Sequence, residues 1–331
     1  MPVPVRLPVR ILGTGSALPR RRVTTRELLA ELVPHPSAET IEARIGIRFR
    51  HWLGADETAA GLAAQAVRDA LDAAGIEARR LRRIILVTST GGDQMIPATA
   101  HTVAAELSIE GGCDAFDLNN ACAGFLTGFD LAARSVATGL DPVAVVAVET
   151  FSRRISPQGR RAYLVLGDAA AAVILGGARA AREGVLVSVL DGASALRGKM
   201  IMHHPGRPGA PDYHDFDTDG AQIIDTAIAL IQRSVFRALD EAGLQLNDID
   251  WVLPHQPNGE IFRLLTERLG VAADRMVPVF PDAGSLGAAS VPLSLDRLMR
   301  RNPSPRPGAR ILMTAVGSGT THGAVIYQVP I

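Results

Sequence analysis

The chain has 331 residues, with 34 basic and 34 acidic side chains and a formal net charge of zero, which excludes bulk electrostatic attraction to nucleic acid or a membrane. It is 47% hydrophobic and 21% charged, the composition of a globular protein with a large core. Two cysteines are too few for a disulfide framework, so a reduced, cytoplasmic setting is expected; no apolar run approaches the roughly 20 residues of a membrane helix.

In chain order, the prolines and arginines of "MPVPVRLPVRILGTG" interrupt the apolar core that a signal peptide needs. "GTGSAL" (13–18) has the G-x-G start of a dinucleotide loop, but Pro19 and a run of arginines follow it where the motif needs a helix, so nucleotide binding is discounted. An amphipathic helix then ends in "ALDAAGI" (70–76), and the strand "RRIILVTST" (82–90) and the helix "TAHTVAAELSI" come after it. "FDLNNACAGFLTGFDLAARSVATG" reads as a short strand or loop, a small-residue turn and a helix, and "PVAVVAVET" closes the series as a strand. The same order returns later. "ALDEAGL" (238–244) ends a helix, "DIDWVLPHQ" (248–256) is a strand and "GEIFRLLTERLGV" a helix. "FPDAGSLGAASVPLSLDRLMRR" repeats the turn and helix, and "ARILMTAVGSG" the closing strand.

The chain therefore reads as two copies of a βαβαβ-type unit, residues 1–180 and 181–331. Runs such as "IILV", "VAVVAV" and "AAVILG" do not alternate, which predicts mainly parallel sheets buried on both faces under packed helices. The repeat sets Cys122 of the first half against Ser285 of the second, each at a turn entering a helix. His255 ends a second-half strand, and the glycine-rich Gly317–Gly319 ends the last one. Strand ends of this kind are where α/β folds build sites.

Phe125, Leu126, Phe129, Ala133 and Val136 recur at helical spacing, with Gly139 as a stop, so Cys122 stands at a helix start. The N–H groups and partial positive charge of such a start favour the thiolate and lower the cysteine pKa, and they can hold an oxyanion. Ala121, Ala123 and Gly124 leave room for an acyl group. The competing reading of Cys122 is an inert core residue. His255 can donate to a thioester carbonyl or act as a base, or it can be a loop histidine bonded to backbone; Asn258 reads as the cap of the next helix.

In "ILGTGSALP", "RIGIRFRH", "NNACAGF", "LGDAAAAVIL", "HQPN", "GSLGAASVPLSL" and "GSGTTHGA", in this order, the chain resembles the β-ketoacyl-acyl-carrier-protein synthase III family of the thiolase superfamily. The resemblance implies an α/β, thiolase-like five-layered αβαβα fold and a homodimer. It implies an enzyme whose cysteine accepts an acyl group from a thioester, after which a malonyl thioester decarboxylates and condenses with it. Carried over by position, Cys122 is the nucleophile, His255 the family's histidine, and the N–H groups of Cys122 and Ser318 the oxyanion hole. Ile96 matches a residue that reaches across the dimer, and Arg44 and Arg160 match arginines at the cofactor entrance; Asn258 joins these three among the substrate-binding residues. No cofactor is implied, since coenzyme A or acyl carrier protein delivers the acyl group as substrate. The implied partners are acyl carrier protein, small acyl thioesters and a second copy.

Two positions depart from the family pattern. Ser285 replaces an asparagine that helps decarboxylation, and a hydroxyl is shorter than an amide with one donor rather than two. Thr40 replaces a tryptophan that stacks on adenine. Both point to a divergent, specialised-metabolism member, either a ketosynthase or an acyltransferase that moves the acyl group to an alcohol or amine. A third reading is a weakly catalytic subunit that shapes a partner synthase. His203, His204 and His214 lie in a Gly/Pro-rich loop and are not taken as a metal site; "RRLRR" (79–83) reads as a solvated turn and Cys113 as structural.

Overall fold

The computed structural model describes residues 6–32, 37–179, 183–204, 207–218 and 222–331. The first-half elements are β1 (Val9–Ala17), β2 (Arg21–Thr24), α1 (Thr25–Ala30), α2 (Ala38–Ile45), β3 (Phe49–Trp52) and α3 (Ala59–Ala74), followed by β4 (Arg83–Val87), α4 (Thr99–Glu106), β5 (Asp114–Leu118), α5 (Gly124–Ala137), β6 (Val143–Glu149), α6 (Arg160–Val165) and β7 (Ala169–Gly177). Then come β8 (Gly184–Gly192), the short pair β9 (Met200–Ile201) and β10 (Asp217–Thr218), α7 (Gln222–Ala242), β11 (Trp251–Pro254) and α8 (Gly259–Leu269), with α9 (Phe280–Ala283), α10 (Ser290–Met299), β12 (Arg310–Val316) and β13 (Thr321–Gln328) last.

The two main sheets repeat one plan. The first has the order β1-β7-β6-β4-β5, and the second, read from its other end, has β8-β13-β12-β11. The helices before β4 and β11 stop in the same way: α3 at Gly75 (φ 66°) and α7 at Gly243 (φ 66°), both in the left-handed region that glycine tolerates. The second sheet has no counterpart of β5. In its place "FPDA" forms the short α9, with Pro281 in its first turn, where the missing N–H costs no helix bond.

Five layers follow from where side chains go. Along β4, Ile84 and Leu86 face α3 and α4, while Ile85 and Val87 face the central layer; Val143, Val145, Ala144 and Val146 of β6 divide in the same way. Phe125, Phe129, Val291 and Leu295 of α5 and α10 fill the space between the sheets, against Ile311, Met313, Val325 and Tyr327. Leu312, Ala324 and Ile326 face α7 and α8 on the far side. A strand buried on both faces has no polar side to show, so its sequence does not alternate. The fold is the thiolase-like αβαβα arrangement.

The expectation of mainly parallel sheets needs correction. β4 is parallel to β5 and β6, and β11 to β12, but β1–β7, β6–β7, β12–β13 and β13–β8 are antiparallel. Each half ends by returning antiparallel, the first through the connection that carries α6 and the second through a tight turn. A turn as short as that between Val316 and Thr321 can join only antiparallel neighbours. "GTGSAL" lies largely in β1, and the discounted nucleotide reading has a packing replacement. A Cβ on Gly13 or Gly15 would sit 2.2 or 2.3 Å from the Ala70 or Ala66 carbonyl oxygen, so these glycines let α3 lie close on the strand.

Candidate active site

Cys122 is the middle residue of a 3₁₀ turn, Ala121–Ala123, that runs into α5. Asp114–Leu118 ends three residues before this turn, and the chain reverses through Asn119, Asn120 and Ala121, whose φ of 46° is unusual for a residue with a Cβ. Side chains hold the reversal in place. The Asn119 Oδ1 accepts from the Ala121 N–H (3.1 Å), the Asn120 amide donates to the Thr127 hydroxyl (2.9 Å), and Thr321 Oγ1 donates to Asn120 Oδ1 (2.9 Å). The last bond ties the Cys122 turn of the first half to the final strand of the second.

The β12–β13 turn packs on it directly. A Cβ at Gly317 would lie 3.0 Å from the Ala123 nitrogen and the Asn120 oxygen, so only glycine allows this approach. Within the turn, the Gly317 N–H donates to the Thr321 carbonyl (2.8 Å) and the Thr320 N–H to the Gly317 carbonyl (3.1 Å). These bonds do not use the Ser318 N–H, whose residue is half-buried beside the cysteine turn.

From the second half comes a matching 3₁₀ turn, Gly287–Ala289, leading into α10. This changes the pairing expected from the repeat. Counted back from the first helical residue, Cys122 is two positions before Gly124, and its counterpart is Ala288, two before Ser290. Ser285 corresponds instead to Asn119. Ser285 is buried and fixed by its backbone: its N–H donates to Val165 (2.7 Å), and its carbonyl accepts from Gly167 (3.0 Å). It is therefore in the site's second-half loop, two residues from Gly287, but not at the position equivalent to the thiol.

His255 follows β11, and its N–H donates to the Thr314 carbonyl (2.8 Å). Its ring is buried and meets the Gly287 backbone; its Nδ1 has no hydrogen-bond partner among the described residues. Burial pushes its pKa down to about 4, against a smaller opposite pull from the Gly287 backbone, so the imidazole is neutral at physiological pH.

Glu149, which ends β6 and which the sequence reading passed over, is fully buried between the two turns. Its carboxylate accepts from the Ser89 N–H (3.1 Å) and hydroxyl (2.8 Å), the Thr90 N–H (3.2 Å) and the Ala288 N–H (3.2 Å). The available signal was a lone acid closing an otherwise apolar strand. Burial moves its pKa up to about 7, with the four donors working the other way.

Cys122 itself reverses an expectation. Its thiol is pushed up to about 12, first by burial and then by the charge of Glu149, while its own backbone N–H favours the thiolate more weakly. The residue is half-buried and the helix start is present, but the packing around the sulfur outweighs it.

The other expected residues lie outside this cluster. Asn258 caps α8, accepting from the Ile261 N–H (3.0 Å). Arg44, at the end of α2, is exposed and 3.7 Å from Glu260; Arg160 is exposed at the start of α6; Thr40 is exposed in the first turn of α2. Ile96 is 83% exposed beside Met95 at 90%. Among the described residues no group of three His, Cys, Asp or Glu side chains is placed to hold a metal, and no helix is long and apolar enough to cross a membrane. An open groove of about 590 Å³ runs past Arg68, Gly75 and Glu106 on the outer helices, and Cys122, His255 and Ser285 do not line it.

Residues 116–194 match the family model for 3-oxoacyl-[acyl-carrier-protein] synthase III, and residues 239–329 match its C-terminal model. The β-ketoacyl-[acyl-carrier-protein] synthase III of Neisseria meningitidis is 35% identical over 326 residues, covering 96% of this chain and 98% of the relative. Among solved structures, 3-oxoacyl-(acyl carrier protein) synthase III, FabH, from Pseudomonas aeruginosa PAO1 superposes with a TM-score of 0.88 at 33% identity, covering 98% of each chain. The priming β-ketosynthase of the R1128 polyketide pathway also gives 0.88, at 31% identity, over 100% of this chain and 98% of that one. A duplicated αβαβα fold with a cysteine turn, a buried histidine and a glycine turn at the meeting of its halves, together with these matches over nearly the whole length, places the chain in the β-ketoacyl-acyl-carrier-protein synthase III family, as an enzyme of the transferase class.

Proposed function

We propose that the chain is an acyl-thioester condensing enzyme. Cys122 takes an acyl group from an acyl-carrier-protein or coenzyme A thioester, and a malonyl-carrier-protein thioester then loses carbon dioxide and condenses with it, in specialised lipid or polyketide biosynthesis. The observation that carries this reading is the convergence of Cys122, the Gly317–Thr320 turn and the Gly287 turn touching His255, drawn from both halves of the chain.

In the first half-reaction the Cys122 sulfur attacks the thioester carbonyl. Because the resting thiol is hard to ionise and His255 is a weak base, the proton passes to His255 as the carbon–sulfur bond forms, rather than beforehand. The Cys122 and Ser318 N–H groups receive the developing oxyanion. His255 returns the proton to the departing thiol, and the acyl-cysteine remains. In the second half-reaction the malonyl carbon–carbon bond breaks with release of carbon dioxide, the enolate attacks the acyl carbon, and the Cys122 sulfur leaves as a thiolate and takes a proton from water. Neutral His255 donates to the malonyl thioester oxygen as charge grows there.

Ser285 favours a second reading, a non-decarboxylating acyltransferase that delivers the acyl group to an alcohol or amine. A serine fixed by its backbone has less reach and one donor fewer than the family's asparagine. The exposure of Met95 and Ile96 supports a homodimer in which this loop lines the partner's acyl pocket. The lack of an aromatic plane at Thr40 supports a carrier protein as acyl donor, in a cytoplasmic setting.

Labelled carbon dioxide release beside single-turnover acylation tests the choice. For the condensing enzyme, Ser285→Asn speeds malonyl decarboxylation about tenfold, roughly 1.4 kcal/mol, with acylation of Cys122 nearly unchanged. Acyl transfer to an alcohol or amine with no carbon dioxide release, in both proteins, selects the second reading.

A further inference from the structure

Glu149 occupies a place that the chemistry above does not use. It is 0% exposed at the end of a strand whose other six residues are apolar and buried. All its hydrogen bonds are accepted ones, from Ser89 and Thr90 in the loop after β4 and from Ala288 in the second-half turn. A carboxylate served only by donors is held as an acceptor, and burying one without such partners is costly. A Cβ on Gly287 would come within 2.9 Å of Oε1, so the turn that touches His255 is seated on this carboxylate. The turn that Glu149 holds through the Ala288 N–H packs on the start of α5: a Cβ on Gly124, two residues after Cys122, would lie 3.9 Å from the Ala288 methyl, which brings the carboxylate close to the cysteine turn.

We infer that Glu149 is a positioning residue that seats the Gly287–Ala289 turn of the second half against the Cys122 turn of the first, and whose charge adds to burial in disfavouring a free Cys122 thiolate, so that the sulfur is shielded from stray electrophiles until an acyl donor is in place. The thiolate is what alkylating and oxidising agents attack, and a fixed negative charge beside the sulfur suppresses it. The acyl-cysteine thioester carries no charge on sulfur, so the same carboxylate does not oppose it. Glu149 thereby lowers the free thiolate without lowering the acyl-enzyme. The part about the acyl-enzyme rests on the proposed role of Cys122; the seating of the turn and the suppression of the thiolate do not.

The test is the rate of iodoacetamide alkylation at Cys122, followed by peptide mapping from pH 5.5 to 8.5. Cys113 serves as internal reference, because its thiol is pushed up by burial and by Asp114 and does not feel Glu149. In Glu149→Gln the thiolate fraction rises while each thiolate becomes less nucleophilic. The reaction at pH 8.5 is therefore faster, by about threefold for each tenfold gain in thiolate. Wild-type Glu149 takes up its own proton below about pH 7, so the difference closes towards pH 5.5. Cys113 stays unchanged. A folded variant that shows no increase, an increase equal at both ends of the pH range, or an equal rise at Cys113 overturns the inference. If Glu149→Gln does not fold, Ser89→Ala decides. It leaves the carboxylate and the backbone donors in place but removes the 2.8 Å hydroxyl, making Glu149 easier to protonate, so Cys122 alkylation at pH 7.5 rises; no rise overturns the inference. Failure of acylation assays with normal alkylation behaviour counts against the proposed function and leaves this inference standing.

Discussion

The turns before α5 and α10 share one backbone plan and carry different chemistry. Each is a three-residue 3₁₀ segment leading into a helix of the central layer, and each contains a residue at positive φ: Ala121 at 46° in the first, Gly287 at 51° in the second. The first presents Cys122. At the same place the second presents Ala288, whose N–H serves Glu149, while its Gly287 backbone meets the His255 ring. Duplication supplied two helix starts facing each other. One carries the cysteine, and the other has become the support for a buried acid and a neutral imidazole. One site, not two, results, since each half lacks what the other holds.

The comparison is most sharply broken at Gly287. A Cβ there meets Glu149 Oε1 at 2.9 Å and Phe151 Cζ at 3.0 Å, and the carboxylate cannot swing aside without leaving its donors. With the cost of left-handed backbone for alanine added, Gly287→Ala destabilises the protein by about 3 kcal/mol, read as a shift in chemical denaturation. Unchanged stability means that the second turn is not seated on Glu149.

The next effect is in acid. His255 is lowered from 6.5 to about 4 in the folded protein, so the unfolded chain binds a proton that the folded one refuses as pH falls below 6.5. Its contribution to stability is intact above pH 6.5 and is lost progressively towards pH 4, about 3 kcal/mol in all. Glu149 is raised from 4.5 to about 7 and has the opposite sign: the folded protein takes up its proton first, so stability is gained as pH falls from 7 towards 4.5. Denaturation of His255→Asn between pH 7 and 4 accordingly shows a shallower acid loss than wild type, and Glu149→Gln a steeper one. The reverse order would place the charges differently in the two turns.

The smallest effect is on the first turn's own strain. Ala121→Gly relieves the positive φ but frees the unfolded chain, and the two nearly cancel, leaving stability within about 1 kcal/mol of wild type. A larger loss would show that the Ala121 methyl, which lies against Gly317, matters more than its backbone.

Much of the fold was legible because the duplicated units carry their own punctuation. The Ala-Gly ends of α3 and α7 and the unbroken apolar runs of β4 and β6 read directly as helix stops and doubly buried strands. The direction of β7 and β13 was not legible, since ladder orientation depends on how a connection wraps and not on hydrophobic period. The site was partly legible. Cys122 and His255 stand out as chemically distinctive residues at element ends, but Ala288 is chemically silent, and a polar residue nearby, Ser285, drew the alignment three positions off. Glu149 was passed over, because one acid at the end of an apolar strand does not show whether that end is buried. The thiol pKa was misjudged for a related reason: a helix start can be seen in sequence, whereas the burial that outweighs it depends on elements from the other half.

The division of labour between the two turns is tested most directly by intact-protein mass spectrometry with peptide mapping. Wild type, Cys122→Ala and the double variant Cys122→Ala with Ala288→Cys would each be exposed briefly to a panel of acyl-carrier-protein and acyl coenzyme A thioesters. The account predicts one acyl group on Cys122 in wild type and none in either variant, because a thiol placed in the second turn sits against Glu149 without the glycine turn's N–H groups around it. An adduct on another residue, turnover by Cys122→Ala, or acylation of the cysteine at 288 would contradict it.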